Sequence, residues 1–436
     1  MPSTSWPYRA AVRLGTALAP LLGAVDTKIG EGHRRRRGTV DRLTAWARAM
    51  RDPGRPLVWF HASSVGEGRQ AESVFLELRR LLPGCQTVYT HFSPSADPLA
   101  RRLSVDVADY LPYDRPSDVE RLLRALAPDL LVFAKLDLWP ELATRAAAHG
   151  VAVALVAATV SPGSGRLRWP ARTLLRPGYA SVDAAGAVSE EDAGRLARLG
   201  VAPDRVRVVG DPRYDSVAAR VAAVAPDDPL LRLGLGGPTL VAGSTWAPDE
   251  DVVLGAFARL RDRHADARLV VVPHEPTTEH LAGLDRRAAR VGLPRPARLG
   301  NIADGLPWLV VDRVGVLATL YGAGTMAYVG GGFGDAGLHS VLEPAAWAVP
   351  VAFGPRWRES RDAGLLLERD AAAALAEGGE AGIRSLVGIW ESWLTDAAAR
   401  AAQGTRGREV VAAGLGAARR SADMLAKLIS SRRLRR

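Results

Sequence analysis

The run Asp129-Leu130-Leu131-Val132-Phe133-Ala134 leaves a chain few options. Five successive apolar residues offer no face to water, so the segment reads as a strand covered on both sides, as parallel sheets require. Residues 56–61, 86–90, 109–112, 151–156 and 205–209 repeat the theme, and 67–82 and 119–126 between them carry helical spacing. Strands alternating with helices imply right-handed βαβ units. The stretch 226–238, rich in Pro and Gly, interrupts the series and reads as a linker. Residues 239–243, 268–272, 308–311, 326–329 and 350–353 then form a second series. The expectation is an α/β chain with two Rossmann-like domains over 41–225 and 239–380. A separate N-terminal segment, 1–40, precedes them, and Ala- and Arg-rich helices over 381–436 follow and pack across both domains.

Charge narrows the partners. Lys and Arg exceed Asp and Glu by 57 to 47, a formal +10, which favours nucleic acid, anionic lipid or a phosphorylated substrate. Much of the excess sits in 33–37 and 432–436, where it suits a membrane surface or simply keeps the chain soluble. A nucleic-acid binder is disfavoured, because these basic clusters lack interleaved aromatic residues. The single cysteine, Cys85, excludes an internal disulfide and a thiolate metal site, and points to a reducing compartment. No apolar stretch reaches the 18 residues that a membrane span needs. Residues 14–25 are apolar over about half a bilayer, with Arg9 and Arg13 before them and Arg34 to Arg37 after. They read as an interfacial helix against anionic headgroups, or as an ordinary first helix.

Ligands of doubly wound sheets sit at the carboxyl ends of the strands. His61-Ala62-Ser63-Ser64-Val65-Gly66-Glu67-Gly68 follows the first strand. Glu67, between two glycines at a helix start, is a candidate general base, or equally a first-turn carboxylate that complements the helix dipole. In the second series, Tyr328-Val329-Gly330-Gly331-Gly332-Phe333-Gly334 leads to Gly337-Leu338-His339-Ser340-Val341-Leu342-Glu343-Pro344. A Gly-rich turn entering a helix presents amides that suit a phosphate, although the spacing is not that of a dinucleotide fingerprint. Glu343 is placed to accept from ribose hydroxyls. Gly243-Ser244-Thr245-Trp246, Pro273-His274-Glu275, Gly210-Asp211-Pro212-Arg213 and the trio Lys135, Asp137 and Trp139 also end strands. Each of these alone reads as surface or packing. His274 stands apart from any HxxxH or DxD arrangement, so no metal is expected.

Taken in order, these strings resemble the 3-deoxy-D-manno-octulosonic acid (Kdo) transferase family. The likeness rests on Trp59 to Glu67, Tyr113-Asp114, Leu136 to Pro140 and Val209 to Asp215. It continues through Gly330 to Gly332, Leu342 to Ala346 and Phe353-Gly354-Pro355. It implies a GT-B fold, two Rossmann-like domains with parallel sheets facing across a cleft. It implies an inverting transfer of Kdo from CMP-Kdo, held by the C-terminal domain, to a lipid A precursor held by the N-terminal domain. Neither cofactor nor metal is implied, and the place of action is an anionic membrane surface, the cytoplasmic face of the inner membrane. Glu67 matches the catalytic base. Arg213 matches a basic position that stabilises the transition state, and Lys135 and His274 are further candidates to take up the developing negative charge. Pro273, His274, Val314, Gly315, Val316, Ser340, Val341, Leu342 and Glu343 match the CMP-binding segments. The chain departs from the common pattern at Lys135 (often Glu), His274 (Arg), Val316 (Glu) and Trp246 (His), which marks a branch of the family. The competing expectation is a GT-B enzyme using another nucleotide sugar, distinguishable by the nucleotide released.

Overall fold

The computed structural model describes residues 4–23, 27–233, 237–300, 307–335 and 337–433. Ala24 and Val25 of the apolar N-terminal run, 234–236 of the expected linker and 434–436 of the basic tail lie outside them. Contacts divide the chain into one unit of Met1–Ser216 with Gly414–Arg436 and a second of Val217–Ala413.

The first unit begins with three helices, α1 (Trp6–Gly23), α2 (Lys28–Arg36) and α3 (Thr39–Met50). Then come β1 (Leu57–His61), α4 (Val65–Leu81), β2 (Gln86–His91), α5 (Asp97–Ala100), β3 (Val107–Tyr110), α6 (Pro116–Leu126), β4 (Leu130–Ala134) and α7 (Pro140–Ala148). β5 (Ala152–Ala158), α8 (Ala171–Ala180), β6 (Ala184–Ala187), α9 (Glu190–Leu199), β7 (Val206–Val208) and α10 (Pro212–Ala222) follow, and the unit boundary falls inside α10.

The second unit holds β8 (Thr239–Thr245), α11 (Ala247–Arg261), β9 (Arg268–Pro273), α12 (Thr278–Arg290), β10 (Ala297–Arg298), β11 (Trp308–Val310), α13 (Leu317–Ala323) and β12 (Met326–Val329). It continues with α14 (Leu342–Ala346), β13 (Val351–Phe353), α15 (Arg361–Glu368), β14 (Ala372–Ala374), α16 (Gly379–Thr395) and α17 (Ala397–Ala413). The last helix, α18 (Ala417–Arg433), returns to the first unit.

Each unit carries one parallel sheet of seven strands, ordered β3-β2-β1-β4-β5-β6-β7 and β10-β11-β9-β8-β12-β13-β14. In the first, alternation along β1 sends Leu57 and Trp59 to one face and Val58 and Phe60 to the other, and both faces are buried. The second face is closed by α4 and by Ala422, Leu425 and Ile429 of α18. The expected strands are all present, with ends displaced by a residue or two. Three strands were not expected: β6, β10 and β14. β6 is Ala-Ala-Gly-Ala, too small and too weak in strand propensity to stand out, and it is held by pairing with β5 and β7.

Candidate active site

In the first unit, β1 ends at His61 and the chain turns into α4 through a capping box. The Glu67 amide donates to Ser64 Oγ at 3.4 Å, and the Ser64 amide donates to Glu67 Oε2 at 3.1 Å. Glu67 is half-buried. Its structural role is therefore present in full, while its second oxygen takes no hydrogen bond among the described residues. Gly68 lets the helix settle on the sheet. A Cβ there would lie 2.7 Å from Tyr89 Oη and 2.6 Å from Leu99 Cδ2.

A hydrogen-bonded cluster lies beneath this turn. His61 Nε2 is 3.0 Å from Asp137 Oδ2, and Ser63 Oγ donates to the same oxygen. Trp59 Nε1–H donates to Thr90 Oγ1 at 2.9 Å, and that hydroxyl lies 3.0 Å from His61 Nδ1. The same hydroxyl lies 3.4 Å from Phe60 O, so Thr90 ties the imidazole to the backbone of its own strand. Trp139 adds its indole N–H to the cluster, 3.2 Å from His61 Nε2. Burial opposes charge on Asp137, but hydrogen bonds from His61, Ser63 and Trp139 outweigh it and hold the carboxyl below its ordinary value. Asp137 and Trp139 are thus more than the surface or packing residues that each suggests alone.

Lys135 follows β4, the neighbour of β1, in a left-handed conformation (φ 55°), with its amide bonded to Val156 O at 2.8 Å. The sheet therefore brings the Glu67 and Lys135 turns side by side. Arg213 is set apart, entering after β7 at the sheet edge. Its guanidinium pairs with buried Asp211 at 2.7 Å, and its amide donates to the same carboxylate at 2.9 Å. The rest of that string serves the last helix. Asp215 accepts from the amides of Gly416 (2.7 Å) and Ala418 (2.9 Å) at the start of α18.

In the second unit, the expected nucleotide-binding residues all lie at the carboxyl edge of the sheet, at a strand end, on the loops that follow the strands and at the start of α14. Pro273 ends β9 and His274 follows it. Val314, Gly315 and Val316 follow β11, with Val314 76% exposed, and Ser340 to Glu343 follow β12. The helix expected near Ser340 is the short α14, beginning at Leu342. Glu343 Oε1 accepts from Arg220 at 3.0 Å, so one of its oxygens is already engaged. Gly332 and Gly354 meet back to back, with a Cβ on Gly332 only 2.7 Å from Gly354, which holds the β12 and β13 loops together.

Three rings stack at this edge. His274 and His339 have centroids 4.2 Å apart and planes 21° apart, and Trp246 lies 4.9 Å from His274. Trp246 Nε1–H donates to His339 Nε2 at 3.0 Å, which places the imidazole proton on Nδ1. Burial, with the charge of His274 adding to it, pulls the pKa of His339 down to about 4. Asp249 fixes the surrounding backbone, accepting from the amides of Trp246 (3.0 Å) and Gly331 (2.9 Å) and from Tyr328 Oη (2.9 Å). Sequence reasoning gave no role to His339, Asp249 or His61. Among the described residues no group of three His, Cys, Asp or Glu side chains is placed to hold a metal ion.

The N-terminal helices cover part of the first sheet's carboxyl edge. Tyr8 Oη donates to Asp114 Oδ2 (2.7 Å), and Arg9 pairs with buried Glu141 (2.9 Å). No described helix is long and apolar enough to cross a membrane, yet Trp6, Leu14, Leu18 and Ile29 stand exposed.

Residues 33–216 match the family model described as 3-deoxy-D-manno-octulosonic-acid transferase (kdotransferase). The 3-deoxy-D-manno-octulosonic acid transferase of Bordetella pertussis is 30% identical over 385 residues, spanning 84% of this chain and 86% of that protein. The enzyme of the same name from Aquifex aeolicus is 26% identical over 317 residues, 72% of this chain and 80% of its own. Among solved structures, UDP-GlcNAc 2-epimerase from Neisseria meningitidis superposes with a TM-score of 0.60 at 11% identity, over 86% of this chain and 100% of that one. A glycosyltransferase from Rickettsia africae gives 0.57 at 11% identity, over 87% and 98%. At such identities the structures share the tandem Rossmann-like fold alone.

Proposed function

The chain belongs to the 3-deoxy-D-manno-octulosonic acid transferase family, and on that footing we propose that it transfers Kdo from CMP-Kdo to a lipid A precursor. The observation that carries this reading is the match to the Bordetella pertussis enzyme, which runs through both units rather than through one.

In the proposed mechanism, a glucosamine hydroxyl of the acceptor attacks the anomeric carbon of Kdo with inversion. Glu67 takes the proton of that hydroxyl through the oxygen that the capping box leaves free. The bond from the anomeric carbon to the phosphate breaks, and CMP leaves with the electron pair. Arg213, Lys135 and His274 are the groups assigned to the growing negative charge. His339 stays neutral at physiological pH and offers its Nδ1–H as a donor on the nucleotide side. Pro273, Val314 to Val316 and Ser340 to Glu343 are assigned to CMP. The exposed apolar side chains of α1 and the basic residues of α2 support action at an anionic membrane surface, the cytoplasmic face of the inner membrane.

The test is incubation of the full chain with CMP-Kdo and a tetraacylated lipid A precursor. The expected result is release of CMP matched by the mass of one or more Kdo units on the acceptor. Absence of CMP release, with UDP or UMP released from UDP-sugars instead, overturns the assignment.

A further inference from the structure

α1 and α2 roof a cavity of about 480 Å³ over the carboxyl ends of β2, β3 and β4. Val12, Gly15 and Ala19 of α1, Ile29 of α2, and Phe92 and Trp139 supply its apolar walls. The two charged residues on the wall are already committed. The Arg36 guanidinium lies 3.8 Å over the Phe92 ring and donates to Leu111 O (2.8 Å) and Phe92 O (2.9 Å). Asp114 is buried and accepts from Tyr8 Oη and from the amides of Glu141 (2.7 Å) and Leu142 (2.9 Å). A phosphate or a sugar would find little here to bond to, whereas a hydrocarbon would lose nothing.

The cavity has two informative neighbours. Ile29 belongs to its wall and is also 67% exposed, so the apolar lining runs out to the surface that carries Leu14 and Leu18. Trp139 forms another wall and belongs to the His61–Asp137 cluster beneath the Glu67 turn. The cavity therefore runs from an exposed apolar face to the hydrogen-bonded cluster beside the turn that carries Glu67.

We propose that this cavity seats one acyl chain of the glycolipid acceptor and so positions the acceptor's sugar near Glu67. The proposal rests on the acceptor reading above and adds to it the place of the chain. Each methylene that leaves water contributes about four-fold to binding, so the length of the chain becomes a determinant of acceptor choice.

Gly15 provides the test. Gly15 lines the cavity and a Cβ there meets nothing within 4 Å, so the backbone accepts a side chain at the cavity wall, and on a helix it costs no propensity. For Gly15→Phe, the preference for tetraacylated over deacylated acceptor, read as a ratio of kcat/KM values, falls at least about ten-fold. An equal ratio in wild type and variant overturns the proposal. A second readout needs no turnover. An acceptor brominated along its acyl chains quenches the fluorescence of Trp139, seen as the difference between wild type and Trp139→Phe, and Gly15→Phe removes that quenching. Failure of the brominated acceptor to quench Trp139 also overturns the proposal. If Kdo transfer itself is absent, the quenching still decides whether the cavity holds a chain, and the two readings fail separately.

Discussion

The Ser64 amide donates to Glu67 Oε2 at 3.1 Å while the Glu67 amide returns a bond to Ser64 Oγ at 3.4 Å. The residue proposed as catalytic base is thus also the third residue of a helix cap. A carboxylate used this way keeps its position without a substrate, and only one of its oxygens is available for chemistry. Stability and activity share this residue, and substitutions separate them.

Glu67→Gln retains an oxygen that can accept from Ser64, so its melting temperature stays near that of wild type. Its rate of CMP release falls by about 10²- to 10⁴-fold, the usual worth of a general base. Glu67→Ala loses the same activity and also about 0.5–2 kcal/mol of stability with the cap. A Glu67→Gln protein that turns over at the wild-type rate removes the base assignment.

Asp137→Asn weakens a hub that collects protons from His61 and Ser63. The expected loss is about 1.5–3 kcal/mol at neutral pH, the range for hydrogen bonds to a charged group. Because the folded carboxyl titrates below its ordinary value, the unfolded chain takes up its proton first as pH falls. The stabilisation is present above the ordinary carboxylate range and is lost as pH drops through the depressed value. Urea unfolding of wild type and variant between pH 7 and pH 3 shows the gap closing with acid. A gap that stays constant across this range contradicts the account.

Asp215→Ala removes the acceptor of two amides at the start of α18. A cost of about 0.5–2 kcal/mol follows from the cap alone. Hydrogen exchange in α18 speeds up, and so does exchange in α4, because α18 packs against it. Faster exchange confined to α18, with α4 unchanged, shows that the two helices do not open together.

His339, with its pKa pulled down to about 4, gives the second unit an acid limit. Between that value and 6.5, the ordinary value for histidine, the unfolded chain binds more protons than the folded one, so stability rises with pH across this window. It is fully present above 6.5 and lost as pH falls toward 4. Melting curves of His339→Gln lack this part of the slope. An unchanged slope places the acid sensitivity elsewhere.

Local signals carried much of this molecule. β4 and β5 are apolar along their whole length, so burial on both faces was written into consecutive residues. The Glu67 turn was visible because a strand, a Ser-Ser pair and a helix follow one another within a dozen residues. What stayed hidden depends on distance along the chain. His61 and Asp137 are 76 residues apart, and Trp246 and His339 are 93 apart. No periodicity records such a pairing, because it is made by the order of strands in the sheet. The alliance of α18 with the first unit was equally hidden, since its Ala- and Arg-rich sequence says nothing about which sheet it covers.

That alliance bears on how the protein is made. Phe60, Val132 and Val156 face a layer that includes Leu425 and Ile429, and the ribosome produces those two only after the whole of the second unit. A nascent chain must therefore carry one greasy face of its first sheet without its lid while the intervening unit is synthesised and folds. The vulnerable period in the life of this enzyme is its birth, before α18 is made to close that face.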